Sequence, residues 1–141
     1  MAEYTANALQ TVGENQSVIF TDSVVCGNSS IVHRDGSGLI TLRGIVNCQC
    51  RARFKVSFGA NIAIPEGGTV GEISLAIAIN GEPIQTTTMI ETPAAVSALS
   101  NVFSAIFIDV PANCCSQISV RNTSSQSIDV QNANLIVERV A

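Results

Sequence analysis

The side chains in this sequence that are most able to do chemistry are its five cysteines, Cys26, Cys48, Cys50, Cys114 and Cys115. Closely spaced thiols can form disulfides, bind a metal as thiolates, or pack as small apolar groups. Structural zinc sites favour Cys-x-x-Cys spacing, whereas this chain has Cys-x-Cys and Cys-Cys. The spacing therefore disfavours a metal site, and we expect no cofactor. Disulfides and free thiols both remain open from the residues alone.

Catalytic residues are sparse. His33 is the only histidine, so a Ser-His-Asp triad would have to use it, and the chain has no Gly-x-Ser-x-Gly motif. His33 stands directly before Arg34-Asp35-Gly36, which predicts a structural side chain at the edge of a turn. The eleven acidic residues are scattered singly and suggest no carboxylate pair for glycoside hydrolysis. We therefore expect a protein that is not an enzyme.

The charge pattern excludes two classes of partner. The net charge is −4, and only Arg51 and Arg53 among the basic residues lie close together on one strand face, so the stripe that nucleic acid requires is missing. No segment approaches the ~20 apolar residues of a membrane helix. The first sixteen residues have neither the basic nor the apolar region of a secretory signal, which predicts synthesis in the cytoplasm.

A low charge content favours self-assembly. Charged residues make up 13% of the chain against 46% hydrophobic residues, and the polar remainder is mostly Ser, Thr, Asn, Gln and Gly. Long charged side chains are depleted where proteins pack against each other, so this composition suits a surface covered by copies of the same chain. A stable extracellular monomer is the alternative interpretation.

Short apolar segments with a period of two predict an all-β domain. Residues 51–58 place Ala52, Phe54, Val56 and Phe58 on one face and polar side chains on the other, and residues 73–79 alternate in the same way. Further strands are predicted at 18–20, 31–33, 39–42, 83–90, 102–110, 117–120, 127–130 and 134–140, and residues 92–100 are predicted as a loop or single turn. Nine to eleven short strands at this spacing are typical of a sandwich of two antiparallel sheets or a jelly roll.

The clearest local signal is Asn80-Gly81, which follows the strand at 73–79. Both residue types accept the positive φ angles of a two-residue hairpin turn. We therefore predict a tight hairpin there, with Pro83 opening the return strand. The domain is expected over residues 16–141, and the polar residues 1–15 are expected to be a flexible arm that docks the domain to a neighbour.

Several of these segments resemble one known family. They are Gly38-Leu39-Ile40-Thr41-Leu42, residues 53–58, Ile77-Ala78-Ile79-Asn80-Gly81-Glu82-Pro83-Ile84, Ile108-Asp109-Val110-Pro111 and the terminal Leu135-Ile136-Val137-Glu138-Arg139-Val140-Ala141. In this order they resemble the tumour-necrosis-factor-like jelly roll, and in particular the C-terminal heads of bacterial collagen-like exosporium glycoproteins and phage-encoded virion heads. The likeness covers about residues 16–141. The chain lacks the Gly-X-Y stalk of the spore proteins, so the virion assignment is preferred to the spore surface.

The resemblance implies a homotrimer that packs around an axis through one sheet of each protomer. It implies a structural or interaction role at the surface of a particle, most simply as a virion decoration or fibre head. Other virion or spore-surface proteins would then be partners. A module that binds a host glycan through polar loops at residues 85–88 and 122–126 is the alternative, although these loops lack the aromatic side chains that sugars stack on.

The resemblance also bears on the cysteines. In this jelly roll, the strand that begins near Arg51 pairs antiparallel with the strand that ends near Val110. The turn that holds Cys48 and Cys50 would then lie at the same end of the domain as Cys114 and Cys115. We predict that one cysteine of the first pair lies within bonding reach of one of the second pair, whether as a disulfide or as free thiols.

Overall fold

A computed structural model describes residues 1–27, 29–46 and 50–141 of the chain. The described residues form twelve strands and one short 3-10 helix, Gln85–Thr87. The strands are β1 Ala2–Ala6, β2 Gln10–Val12, β3 Asp22–Val25, β4 Ile31–His33, β5 Ile40–Arg43, β6 Arg51–Ala63, β7 Ile73–Ile79, β8 Glu82–Pro83, β9 Met89–Glu91, β10 Ser100–Pro111, β11 Cys115–Asn122 and β12 Ile128–Arg139.

The strands form two antiparallel sheets that pack face to face. Sheet A has the order β10-β6-β12-β1-β3, with β2 pairing the start of β12. Sheet B has the order β4-β5-β11-β7-β8, with β9 also pairing β7. This arrangement confirms the predicted all-β fold of two antiparallel sheets.

Alternation along the long strands of sheet A builds the core. In β6 the residues Ala52, Phe54, Val56 and Phe58 are fully buried, while the residues between them are exposed or partly exposed, as predicted. In β12 the apolar side chains also alternate, with Leu135 and Val137 pointing inward. Each buried Phe, Val or Leu side chain stabilises the fold by about 1.5–3 kcal/mol through removal of apolar surface from water.

Aromatic rings fill the space between the sheets. Phe20 and Phe58 meet edge to face with ring centroids 6.2 Å apart, and Tyr4 contributes a further buried ring. Phe20 lies outside the named strands. In place of the predicted strand at 18–20 there are two isolated bridges, Ser17 with Arg121 and Phe20 with Ser37. This segment is therefore part of the core although it makes no continuous ladder.

The prediction of a flexible arm at residues 1–15 is wrong. Ala2–Ala6 forms β1, which lies inside sheet A and pairs with β12 on one side and β3 on the other. Ala2, Tyr4 and Ala6 are buried, and Gln10–Val12 adds a second strand. The alternation of AEYTA is too short and too poor in branched apolar residues to be recognised, and the strand is held by pairing on both edges.

Strand β7 also departs from prediction, because it is buried on both faces. Ile73, Leu75 and Ile77 point into the core, as expected, but Ala76 and Ala78 on the other side are also fully buried. Ala76 lies opposite Arg121 of β11, whose guanidinium reaches across to the carbonyl of Gly81. The small side chain of Ala76 is therefore covered by a longer side chain of the neighbouring strand, and no third layer of secondary structure is needed to bury it.

Two predicted boundaries are corrected. The return strand expected at 83–90 is split into β8, the 3-10 helix and β9. The hydroxyl of Thr87 bonds to the backbone of Ile77 and replaces ladder bonds at that point. The segments expected at 127–130 and 134–140 instead form one strand, β12, whose register shifts at a bulge where Asn132 has a φ of 57°.

Candidate functional site

The outward side of sheet A is the most distinctive surface of the described chain. We call the part of it formed by β10, β6 and β12 the outer A face. On β10, Phe103 and Phe107 are 65% and 60% exposed, with Ala105 between them. Their partners on β6 are Gly59, Ser57 and Lys55. Alternation in β10 places these phenylalanines outward because Val102, Ile108 and Val110 of the same strand fill the core.

Next to Phe103 the face has a shallow groove of about 320 Å³. Gly59 lies opposite Phe103 and has no side chain, which leaves the ring standing beside open space. The groove is lined by backbone and by Ser57, Gly59, Ala60, Asn61, Asn101, Phe103, Asn132, Asn134 and Ile136. One wall is therefore aromatic, and the floor carries amide groups.

These amides form a ladder across four chain segments. The Nδ2 of Asn101 donates to Oδ1 of Asn61 at 3.2 Å, and the Nδ2 of Asn61 donates to Oδ1 of Asn132 at 3.0 Å. The Nδ2 of Asn132 in turn donates to Oδ1 of Asn7 at 2.6 Å. Each interior amide still has one N–H and an acceptor lone pair free for another partner.

The opposite end of the outer A face is charged but paired within the chain. Arg53 donates from Nε and Nη2 to the two carboxylate oxygens of Asp109 at 2.7 and 3.0 Å, and Arg51 Nε lies 3.0 Å from the same carboxylate. The hydrogen bond from Arg53 holds the pKa of Asp109 below its ordinary value and raises that of Arg53. Lys55 and Glu138 are direct neighbours in the ladder.

Along β10, the outer A face thus passes from amides through exposed apolar side chains to an ion-paired cluster. Large exposed apolar surface on a soluble protein marks a contact region. Asp109 compensates one of the two arginine charges, so this end of the face keeps one net positive charge. Such a face suits packing against another protein surface of similar character.

The predicted cysteine end is only partly described, because Cys48 lies outside the described residues. The expected strand order is present: β6 and β10 are antiparallel neighbours with Arg51 opposite Pro111. The backbone N–H of Ala112 donates to the carbonyl of Cys50 at 3.0 Å. The turn after β10 therefore begins beside Cys50.

The preceding loop meets the same turn. The N–H of Gly44 donates to the carbonyl of Cys114 at 2.8 Å, and a Cβ on Gly44 would stand 2.1 Å from the carbonyl oxygen of Pro111. Only glycine allows this approach. Gly44 and Cys50 thus both contact the turn that contains Cys114. The four described cysteines, Cys26, Cys50, Cys114 and Cys115, are exposed free thiols, and disulfide formation stays a prediction.

The predicted hairpin residues lie between β7 and β8. Asn80 has a φ of 50° and Gly81 a φ of 86°, which are the positive values of a two-residue hairpin turn. The Oδ1 of Asn80 also accepts a hydrogen bond from the N–H of Gln117 at 2.9 Å. This side chain ties the turn to the neighbouring strand β11.

The loops proposed for glycan binding use their polar groups internally. Thr87 is buried and bonded to the backbone of β7. Asn122 is fully buried and donates to the carbonyls of Val12 and Gln126 at 3.0 and 2.8 Å. Gln126 bonds to both backbone groups of Thr69. These polar residues stabilise the loops. The exposed aromatic side chains, on which a sugar ring could stack, lie on the outer A face.

The described residues contain neither a metal-binding cluster nor a membrane-spanning helix. No group of three or more His, Cys, Asp and Glu side chains is placed to hold a metal ion within residues 1–27, 29–46 and 50–141. In the same residues, no helix is long and apolar enough to cross a membrane.

The fold is that of a jelly-roll head. The structure is similar to Eiger TNF from S. frugiperda, with a TM-score of 0.68 at 12% identity over 99% of this chain and 91% of that one. The globular domain of zebrafish complement 1qA gives 0.62 at 13% identity, covering 96% and 94%. Murine APRIL gives 0.61 at 7% identity, covering 97% and 98%.

No protein-family model matches this chain, and no curated protein matches it in sequence. The structural similarity spans nearly the whole of each chain at very low identity, so it establishes the fold alone. The chain has the tumour-necrosis-factor-like jelly-roll fold that the resemblance predicted.

Proposed function

We propose that this chain is a non-enzymatic structural or interaction module that assembles as a homotrimer through its outer A face. The observation that carries the proposal is the exposure of Phe103 and Phe107 on β10, the edge strand of that face. Burial of two phenylalanines per protomer against a neighbouring copy would remove a large apolar surface from water.

The ion pairing of the face supports self-packing. At a symmetry axis identical residues approach each other, so unpaired charges of one sign would repel. Here the single carboxylate of Asp109 compensates one of the two charges of Arg51 and Arg53 within one protomer. This pairing reduces the repulsion between copies of the face and leaves one net positive charge per protomer at that end.

The proposed setting is the surface of a particle, with the chain as a decoration or fibre head on a virion and a spore-surface head as the alternative. The low charge content and the self-packing face support such a repeated assembly. In a trimer, the loops at the ends of the sandwich would be presented in three copies to a host or to neighbouring proteins, which multiplies weak contacts.

Glycan binding is a second candidate function, now at the groove beside Phe103. An exposed aromatic ring next to Asn61 and Asn101 provides a stacking surface and hydrogen-bonding amides. This use competes with the first, because assembly through the outer A face would cover the ring. A monomeric chain would favour this second candidate.

Substitution of the exposed phenylalanines tests the assembly face. Phe107→Asp places a charge where an apolar contact is proposed, so we expect light scattering to show the trimer falling to a single chain, while circular dichroism stays unchanged because the side chain is exposed. Val32→Asp is the control, since Val32 is 46% exposed on β4 of the other sheet. An assembly that survives Phe107→Asp and Phe103→Asp contradicts this choice of face.

A further inference from the structure

A pocket at one end of sheet B is lined by two adjacent thiols. It has a volume of about 270 Å³, and its lining residues are Arg43, Gly44, Ile45, Val46, Asn113, Cys114 and Cys115. They belong to the end of β5, to the loop that follows it, and to the turn that leads into β11. Both cysteines are exposed free thiols, and Ile45 is also exposed. The pocket therefore combines two thiols, an apolar wall and one guanidinium.

The turn that carries the thiols is held by its backbone. The N–H of Cys114 donates to the carbonyl of Pro111 at 3.1 Å, and Asn113 has a φ of 62°, a left-handed conformation that asparagine tolerates. The N–H of Asn113 donates to the carbonyl of Gly44 at 3.0 Å, and the N–H of Gly44 donates back to the carbonyl of Cys114. The thiols therefore project from a frame that does not depend on their side chains.

Strand register places Arg43 beside Cys115. The two residues are direct partners in the ladder of β5 with β11, and the next pair, Leu42 with Ser116, is buried. Arg43 and Cys115 therefore both point away from the core, and opposed side chains on one face have Cβ atoms about 4.5–5.5 Å apart. The Nη1 of Arg43 donates to the neutral carbonyl of Ser29 at 3.2 Å, and none of the ion pairs among the described residues involves Arg43. Its positive charge beside the thiol is thus uncompensated in the described chain.

This combination favours one class of reaction partner. A thiolate attacks one sulfur of a disulfide, and the other sulfur leaves. Because the guanidinium of Arg43 is close to Cys115, a disulfide that carries carboxylates is attracted to this thiol more strongly than a neutral or cationic one. The exposed side chain of Ile45 offers apolar contact to the methylene groups that link carboxylate and sulfur.

We propose that Cys115 is a site of reversible modification by small disulfides that carry carboxylate groups. The thiol of Cys115 loses its proton to water, and the thiolate attacks the disulfide R–S–S–R, whose S–S bond breaks. A mixed disulfide of Cys115 with R–S forms, and R–S⁻ leaves and takes a proton from water. The small disulfide is the oxidant, and an excess of free thiol reverses the exchange.

The site is independent of assembly through the outer A face. Cys115 and Arg43 point outward from sheet B, whereas the outer A face belongs to sheet A. The site is also compatible with the predicted bond between the two cysteine pairs, because Cys114 can form that bond and leave Cys115 free. We therefore expect modification to leave the oligomeric state measured by light scattering unchanged, whatever that state is.

Three probes of different charge test the site. The full chain, reduced and then freed of reductant, is treated at about pH 8 and low salt with 3,3′-dithiodipropionate, bis(2-hydroxyethyl) disulfide or cystamine, which are anionic, neutral and cationic. Mass mapping of peptides over time gives a rate constant for each cysteine. Cys26 is the internal control, because it is an exposed free thiol outside this pocket. We expect the ratio of anionic to neutral rate constants to be about fivefold higher at Cys115 than at Cys26, the factor that one close charge pair provides in water.

Matched variants assign this preference to particular side chains. Cys115→Ser should remove it from the pocket, whereas Cys114→Ser should retain it. Arg43→Gln should lower the ratio at Cys115 to that at Cys26, and Arg43→Lys, which keeps the charge, should preserve it. Arg34→Gln is the control for net charge, because Arg34 is an exposed arginine outside the pocket. Added salt should reduce the preference of the wild-type chain, because it screens exposed charges.

Three results would overturn the proposal. The first is an equal ratio at Cys115 and Cys26 in the wild type, a comparison that needs no variant to fold. The second is a preference that Arg43→Gln leaves unchanged although its rate with the neutral probe and its melting curve match the wild type. The third is a bond from Cys115 to Cys48 or Cys50 in protein isolated without reductant, since the thiol would then be occupied.

Discussion

At the scale of single residues, Tyr4 reports whether the start of the chain is part of the domain. It is the only tyrosine, and burial is the first cause of its raised pKa, with the negative charges of Cys26 and Asp35 next. Its ionisation, followed by near-ultraviolet absorbance, should therefore have a midpoint above 10.0.

The sign of the linked stability follows from this shift. A phenol whose folded pKa is raised favours the folded state fully below its unfolded value of 10.0, and this contribution is lost as pH rises through the folded value. Tyr4→Phe keeps the ring and should remove this alkaline loss. A tyrosine that titrates at its ordinary value would mean that β1 is detached.

Gly81 is the second position where one residue decides local structure. Its φ of 86° resists a β-branched side chain, so Gly81→Val should reduce the free energy of unfolding by about 1 kcal/mol or more, measured by denaturant titration. The only heavy atom within 4 Å of an added Cβ is Arg121 Nη1 at 3.9 Å, an ordinary contact, so this cost is conformational.

Gly71→Val provides the control for that measurement. A Cβ at Gly71 would meet no atom within 4 Å, and its φ is not in the left-handed region. We expect this variant to be close to the wild type in stability. Equal losses in both variants would contradict the turn assignment.

At the scale of elements, the pairing of β6 with β10 determines which cysteines can meet. If Cys48 or Cys50 bonds with Cys114 or Cys115, the bridge closes a loop of roughly sixty residues and contributes ~4 kcal/mol in the chain-entropy model. Reduction should then lower the melting temperature and leave the oligomer mass unchanged. Five free thiols by mass mapping, in protein isolated without reductant, would rule out the bond.

The elements also show what sequence patterns can and cannot predict. The first eight residues of β6 were recognisable because Ala52, Phe54, Val56 and Phe58 alternate with polar residues. The continuation of the strand to Ala63 was not predicted. Strand β1 was missed because pairing with β12 and β3, not its own composition, holds Ala2–Ala6 in place. The split between β8 and β9 depends on the hydroxyl of Thr87 bonding to Ile77, a tertiary contact that no local pattern reveals.

At the scale of the whole molecule, the candidate site was only half visible in the sequence. Residues 102–110 have a period of two, but apolar residues occur on both sides of the strand. Phe103 and Phe107 lie on the side that is exposed in the structure, so the pattern alone does not show which side faces the core. Only the strand order shows that Val102, Ile108 and Val110 already fill the core.

The assembled mass of the wild-type chain tests the central proposal most directly. Light scattering on a size-exclusion column at micromolar concentration should give about 44 kDa, three times the 14.7 kDa of one chain. A mass that stays near 14.7 kDa across that concentration range would contradict assembly through the outer A face and leave Phe103 and Phe107 free for another partner.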